Sequence, residues 1–260
     1  MAKRATLPRA EAKMLHLPDQ VSTLESMPSL ESAQQFRSCP RRFHIPLLCE
    51  TVIVTIGTIL AIRVLATSPI AHTTWFVAPG VLVAAALIPT LIRKDEFASI
   101  GWTTEQIVPA FSILGRTCLV VFPTVFLGMW ILKSNELQLP LRPALPQEQG
   151  WIAWLLYQFM YIAVAEEVFF RGYLQNNILK LTDALKRRQR RLQGSIAILL
   201  SAACFAIAHV VVQGQMVSAV TFLPGLILAW LFIRTKSLLA PILFHGLANT
   251  TYCVMARLFA

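Results

Sequence analysis

Two adjacent carboxylates and an arginine stand at the end of an apolar run and could carry out acid–base chemistry. Glu166, Glu167 and Arg171 lie in the sequence AEEVFFRGYL, directly after WIAWLLYQFMYIAV, which contains no charged residue. On a helix, Glu167 and Arg171 are four residues apart and share a face, so we predict that they form an ion pair. Glu166 lies about 100° around the helix from Glu167, and its carboxylate therefore remains available for proton transfer.

Two histidines in later apolar stretches could complete such a site. His209 follows Phe205 by four residues, and His245 precedes Asn249 by four. Because residues four apart share a helix face, His245 and Asn249 could together stabilise a developing oxyanion, while Phe205 would provide an apolar wall beside His209. Each feature also has an ordinary structural explanation, since a histidine or asparagine in a membrane often hydrogen-bonds to a neighbouring helix and a phenylalanine belongs to a core.

The composition indicates that these residues lie within a membrane. Of the 260 residues, 56% are hydrophobic and 14% are charged, whereas a soluble domain has about 25% charged residues. Several stretches have about the 20 apolar residues that a helix needs to cross a bilayer, although Glu50 and Arg63 interrupt the first. We predict an all-α, polytopic integral membrane protein (plasma or inner membrane if bacterial) with about seven transmembrane helices, at 45–66, 73–92, 110–132, 151–178, 195–213, 216–233 and 238–258.

The net charge of +10 would also be compatible with nucleic-acid binding, but its distribution favours a membrane surface. Lys and Arg cluster in 1–44, 93–94, 180–191 and 234–236, whereas the alternate connections hold only Lys133 and Arg142. By the positive-inside rule the N-terminus is cytoplasmic and the C-terminus is outside. We therefore predict a polar cytoplasmic tail over 1–44, a transmembrane domain over 45–258, basic loops facing the lipid bilayer, and no nucleic-acid partner.

Helix lengths place the candidate residues at comparable depths. Glu166 is fourteen residues from Lys180, and His209 is fourteen residues from Ser195, which puts both about 21 Å from the same end of their helices. His245 lies about 10 Å from the corresponding end of the last helix. The helices can therefore bring these side chains together.

Three motifs, each on a separate predicted helix, point to a known family. The segments EEVFFR (166–171), FAIAH (205–209) and HGLAN (245–249) match E-E-x-x-x-R, F-x-x-x-H and H-x-x-x-N. In this order they resemble the CPBP family (CAAX protease and bacteriocin-processing, also called Abi) of intramembrane glutamic endopeptidases. FRGYL after the glutamates and SIGWT at 99–103 are also similar to that family. The resemblance covers about residues 95–258 as a catalytic core.

The resemblance implies a peptidase of the glutamic type, without metal or cofactor, acting on a peptide or membrane-anchored protein. Glu166 with His209 would activate water, and His245 with Asn249 would stabilise the oxyanion. Supporting roles would fall to Glu167, Arg171 and Phe205, which would organise and line the site. Because water must reach the site, we expect a polar cavity open toward the cytoplasmic half. Whether the substrate is prenylated, where it is cleaved, and the oligomeric state remain open.

Other chemistries have weaker support in the sequence. There is no H-E-x-x-H zinc motif and no G-x-S-x-G, and the aspartates Asp19, Asp95 and Asp183 lie outside the predicted helices. A metal-dependent protease built from the two glutamates and the two histidines remains an alternative. So does a non-enzymatic membrane protein on the same scaffold, either a transporter or a bacteriocin-immunity factor, because intramembrane Glu and His also build proton relays.

Overall fold

The computed structural model describes residues 45–69, 74–95, 100–102, 107–137, 150–182 and 190–259. Within these ranges the chain is helical and has no strand, which confirms the predicted fold class. The predicted tail, 1–44, lies outside them. The helices are α1 (Ile45–Thr67), α2 (Thr74–Ile92), α3 (Ile107–Ser134), α4 (Trp151–Thr182), α5 (Arg190–Gln213), α6 (Phe222–Thr235), preceded by a 3-10 helix at Met216–Thr221, and α7 (Leu239–Phe259).

Each of the seven predicted segments forms a helix, but the helices differ in how well they fit a bilayer. By length and composition, five can cross a membrane: α1, α3, α4, most of α5 (Leu192–Gln213), and Met216–Thr235. In α2 the apolar segment Phe76–Ile92 is shorter, and the polar side chains of α7 lower its hydropathy. The chain is an integral, multi-pass membrane protein, and its orientation remains a prediction.

Helix α4 lies at the centre of the bundle and packs against α2, α5, α6 and α7. Residues Val168–Gln175 on this helix are all buried, so its polar side chains face other helices rather than lipid. One apolar cluster surrounds α4 and includes Phe169, Tyr173 and Phe205. A second cluster joins α3, α6 and α7 through residues such as Leu231. A helix enclosed in this way can hold charged groups that would be costly on the lipid-facing side.

The two charges that interrupt the first predicted helix have partners on other helices. Glu50 forms an ion pair with Arg93, and its Oε1 accepts a hydrogen bond of 3.0 Å from the hydroxyl of Tyr173. Nη1 of Arg63 donates to the carbonyl of Val212 at 3.2 Å, near the C-terminus of α5, where a cation is favourable. Glu50 and Arg63 therefore attach α1 to the rest of the bundle.

Close backbone contacts define one end of the bundle. The amide of Leu238, just after α6, donates to the carbonyl of Gly101 at 3.0 Å, and Gly101 has a φ of +88°, which favours glycine. A Cβ on Gly172 would lie 3.0 Å from the carbonyl oxygen of Ile100. The start of α3 and the end of α6 thus lie at the same end of the bundle, so these two helices are antiparallel. We call it the basic end, because 93–94 and 234–236 lie there.

Candidate active site

The two glutamates lie on a short α-helical segment between two π-helical segments of α4. The α-helical segment is Val164–Glu167, and the flanking segments are Tyr157–Ala163 and Val168–Gln175. π-Helical backbone, with i→i+5 hydrogen bonds, is uncommon and often occurs at functional sites. The side chain of Glu167 is fully buried, whereas that of Glu166 is 18% exposed. The adjacent carboxylates therefore occupy different environments.

Glu167 joins two helices through charge-assisted hydrogen bonds. Its Oε1 lies 3.0 Å from Nη1 of Arg171, as the i,i+4 spacing predicted. The same oxygen lies 2.7 Å from Nδ1 of His245. Because an ionised carboxylate only accepts hydrogen bonds, Nδ1 of His245 is the donor. Glu167 therefore fixes the orientation of the imidazole on α7, a contact that the sequence did not indicate.

Arg171 is fully buried and bonded on more than one side. Besides Glu167, it reaches the carbonyl of Gly225 on α6, with Nη2 at 3.3 Å. Its guanidinium carbon lies 4.6 Å from the ring centroid of Phe205, within the range of a cation–π interaction. The single positive charge thus links α4 to α5 and α6.

Glu166 faces both histidines. Its Oε2 lies 3.9 Å from Nε2 of His209 and 3.7 Å from Nε2 of His245. Nδ1 of His209 lies 2.9 Å from the carbonyl oxygen of Phe205, so it is Nδ1 that carries a proton. In the neutral form each imidazole then presents an unprotonated Nε2 toward Glu166. Three hydrogen-bond acceptors meet in one place, where a donor such as water would be bound.

Phe205 lies against both histidines. Its ring centroid is 4.4 Å from that of His209 and 5.9 Å from that of His245. It also contacts Phe170 edge to face, with centroids 5.1 Å apart. The residue predicted as a wall beside His209 therefore also contacts the imidazole of His245 and the guanidinium of Arg171.

Asn249 is held by a residue that the sequence analysis missed. Its Nδ2 donates to Oε1 of Gln158 at 3.0 Å, and the second amide hydrogen remains for another acceptor. Gln158 is uncharged, so a search for charged intramembrane residues does not find it. A glutamine within the apolar run WIAWLLYQFMYIAV could nevertheless have indicated a polar contact between helices. The structure thus brings Glu166, His209 and His245 together and places Asn249 one helical turn further along α7.

Helix α7 approaches α4 closely beside His245. A Cβ added to Gly246 would lie 2.4 Å from a ring carbon of Phe159, far inside van der Waals contact. Glycine lets the two helices pack at this distance, as small residues commonly do in membrane proteins. The close contact keeps Nδ1 of His245 within reach of Glu167.

A cavity of about 390 Å³ adjoins Glu166 and His209. It lies among α1, α2, α4 and α5, and its described lining is mainly apolar, with polar groups only at Tyr157, Glu166, His209 and Gln213. The lining segments 59–66, 78–82 and 208–213 belong to the helix halves farther from the basic end. This cavity differs from the expected one, which was polar and open toward the predicted cytoplasmic half, because the sequence does not reveal how α1 and α2 pack against α4.

Within the described ranges, no group of three or more His, Cys, Asp or Glu side chains is arranged to hold a metal ion. The geometry of the cluster instead offers proton transfer between Glu166 and the imidazoles, with Glu167 and Arg171 as a buried ion pair behind them.

Residues 148–251 match the family model of the Rce1-like type II CAAX prenyl endopeptidases. The matched segment contains all three motifs and every residue of the cluster described above. Searches of curated proteins and of solved structures give no match. The family resemblance of the motifs is thereby confirmed over this segment: residues 148–251 are similar to the Rce1-like type II CAAX prenyl endopeptidases, and this similarity supports, at family level, an intramembrane protease of the CAAX type.

Proposed function

We propose that the chain hydrolyses a peptide bond of a membrane-associated protein or peptide with water activated by Glu166 and His209. The observation that carries the proposal is the position of Glu166, whose Oε2 faces Nε2 of both His209 and His245 beside the cavity. The two distances exceed a direct hydrogen bond, so the three acceptors are free to bind a water that approaches from the side of the cavity.

The proposed reaction transfers protons within this cluster. Water bound between Glu166 and His209 gives a proton to the carboxylate as its oxygen attacks the scissile carbonyl carbon. The C–N bond of the resulting tetrahedral intermediate then breaks, and the protonated carboxyl group of Glu166 gives its proton to the nitrogen of the leaving amine. The products are a free carboxylate and a free amine, and no further reactant is required.

The proposed oxyanion donors are His245 and Asn249. Because Nδ1 of His245 donates to Glu167, its Nε2 can donate to an oxyanion only when the imidazole is doubly protonated. Glu167 lies where it would stabilise that positive charge. Asn249 would donate the amide hydrogen that is not bonded to Gln158. Because Asn249 lies one turn beyond His245 on α7, the oxyanion would be bound on the side of His245 that is farther from Glu166.

The substrate class to test first is a prenylated C-terminal CAAX peptide, because the matched family carries that description. A mainly apolar cavity next to Glu166 is compatible with a substrate that brings an apolar chain. The purified chain, reconstituted in lipid, should cleave a farnesylated fluorogenic CAAX peptide. The same peptide without its prenyl group measures how much of the recognition is due to that group.

A substrate-independent test compares protein termini in membranes of cells that carry wild type, Glu166→Ala or Glu167→Ala at matched expression. New termini should depend on Glu166. If wild type and Glu166→Ala yield the same set, the chain is not acting as the proposed peptidase, and a transporter or immunity factor on this scaffold becomes the better explanation.

A further inference from the structure

A second concave surface lies on another side of the bundle, between α3 and α6. This groove, of about 560 Å³, is lined by residues within 113–121 of α3 and 226–234 of α6. It contains two arginines, Arg116 and Arg234, whose side chains are exposed. Neither belongs to the peptidase cluster, and the groove is separate from the cavity beside Glu166.

Among the residues that the structure describes, the two guanidinium groups have no carboxylate partner. Within the described part of the chain, neither Arg116 nor Arg234 makes an ion pair or a hydrogen bond, and no Asp or Glu lines the groove. Arg116 lies nine residues into α3, about 14 Å along a helix that can cross the membrane. An exposed cation at such a position calls for an anionic partner from its surroundings.

The groove has a polar end and an apolar end. Because α3 and α6 are antiparallel, Arg116 and Trp230 lie toward the basic end, as does Arg234 in the last turn of α6. Val120 and Leu226 lie at the other end, deeper in the bilayer. Arginine is suited to phosphate, and tryptophan is enriched where membrane meets water. The order of groups along the groove is therefore that of a phospholipid, headgroup first and acyl chain below.

We propose that this groove binds an anionic phospholipid from the leaflet at the basic end. Its phosphate would lie between Arg116 and Arg234, and an acyl chain would follow the apolar side chains of α3 and α6. A net negative headgroup supplies the missing counter-ion, whereas the quaternary amine of a zwitterionic lipid would oppose it. The site does not depend on the proposed peptidase activity.

The test uses the fluorescence of Trp230 in the full chain, reconstituted in bilayers with dibrominated lipid, whose bromine atoms quench nearby tryptophans. Subtracting the signal of Trp230→Phe isolates this residue. Dibrominated phosphatidylglycerol should quench Trp230 more strongly than dibrominated phosphatidylcholine at the same mole fraction. Arg116→Gln and Arg234→Gln should each lower the relative affinity for phosphatidylglycerol about fivefold, and the double variant about thirtyfold, as expected for one surface charge each.

Two matched variants control the result. The double variant Arg116→Lys, Arg234→Lys keeps both charges and should retain most of the preference for phosphatidylglycerol. Arg257→Gln removes an exposed arginine from the last turn of α7, away from the groove, and should leave that preference unchanged. Equal quenching by the two lipids in wild type, or an unchanged preference in the double glutamine variant, would overturn the proposal. Millimolar inorganic phosphate should not abolish the preference; if it does, the site binds free anions and not a lipid.

Discussion

Nδ1 of His245 lies 2.7 Å from Oε1 of Glu167, and this contact divides the work of the two glutamates. Glu167 is enclosed by His245 and Arg171, whereas Glu166 borders the cavity. Substitution of Glu166 should therefore affect mainly activity, and substitution of Glu167 should affect mainly stability.

We expect Glu166→Gln to abolish turnover while the protein stays folded. Loss of a general base costs about a hundredfold to ten-thousandfold in rate, and the amide keeps the size of the side chain. Glu167→Gln should instead lower stability by about 3–5 kcal/mol, because it leaves the buried Arg171 without its counter-ion. Peptide hydrolysis and thermal unfolding of both variants in the same detergent give the comparison. A Glu166→Gln protein that still cleaves at the wild-type rate would remove Glu166 from the role of base.

Gly246→Ala should impair the site through packing alone. The added Cβ would lie 2.4 Å from the ring of Phe159, so α7 must move away from α4, at a cost of about 1–3 kcal/mol. We expect a lower melting temperature and slower hydrolysis, and partial recovery of both when Phe159→Leu is added. Gly128→Ala on α3 is the matched control, because its Cβ would meet nothing within 4 Å. If Gly246→Ala behaves like Gly128→Ala, the close contact does not position His245.

Chelation should leave activity unchanged. The proposed mechanism uses side chains and water without a metal ion, and the described helices offer no cluster arranged as metal ligands. Hydrolysis of the reporter peptide should proceed at the same rate after dialysis against EDTA as before it, with a zinc peptidase treated in parallel as the positive control. Loss of activity followed by recovery on adding zinc would favour the metal-dependent alternative.

Acid should weaken the attachment of α2 to α4 at the basic end. Oδ2 of Asp95 lies 2.8 Å from Nζ of Lys180 and 3.2 Å from Nε of Arg93. Lys180, with Arg93, holds the pKa of Asp95 below its ordinary value of 3.8. A carboxyl whose pKa is lowered by folding contributes stability above the ordinary value and loses it as the pH falls through the folded value.

We therefore expect wild type to be more stable than Asp95→Asn by about 1 kcal/mol at neutral pH, the order of a partly exposed ion pair. The difference should be constant down to about pH 4 and shrink below it. Melting temperatures of both proteins across this range measure the effect. A difference that persists undiminished well below pH 3.8 would mean that Asp95 acts through packing and not through its charge.

Much of the site could be predicted because helical periodicity is local. The ion pair of Glu167 with Arg171 follows from a spacing of four residues, and the meeting of Glu166 with His209 follows from equal depths in two helices. The bond from His245 to Glu167 could not be predicted, since it depends on how far α7 rotates against α4. That rotation is set by Gly246 and Phe159, which look unremarkable in the sequence.

The position of the cavity beside Glu166 could not be predicted for a related reason. It depends on α1 and α2, which lie outside the three motifs and carry few polar residues to fix their packing. The partners of Glu50 and Arg63 also come from distant parts of the chain, so these charges made the first helix look doubtful when they in fact attach it. Sequence periodicity describes one helix at a time, whereas the cavity is formed by the packing of four helices.

The π-helical segments on either side of Glu166 have a consequence for how such a site can diverge. Relative to an α-helix, a π-helical turn accommodates an additional residue. Deleting a single residue within Tyr157–Ala163 would therefore restore regular α-helix there, while the flanking parts of α4 keep nearly their present rotation. Gln158 lies inside that segment and would change its position relative to Asn249, while the glutamates kept their places. A change in chain length, with no substitution at any motif residue, could thus re-shape the oxyanion side of the site independently of its base.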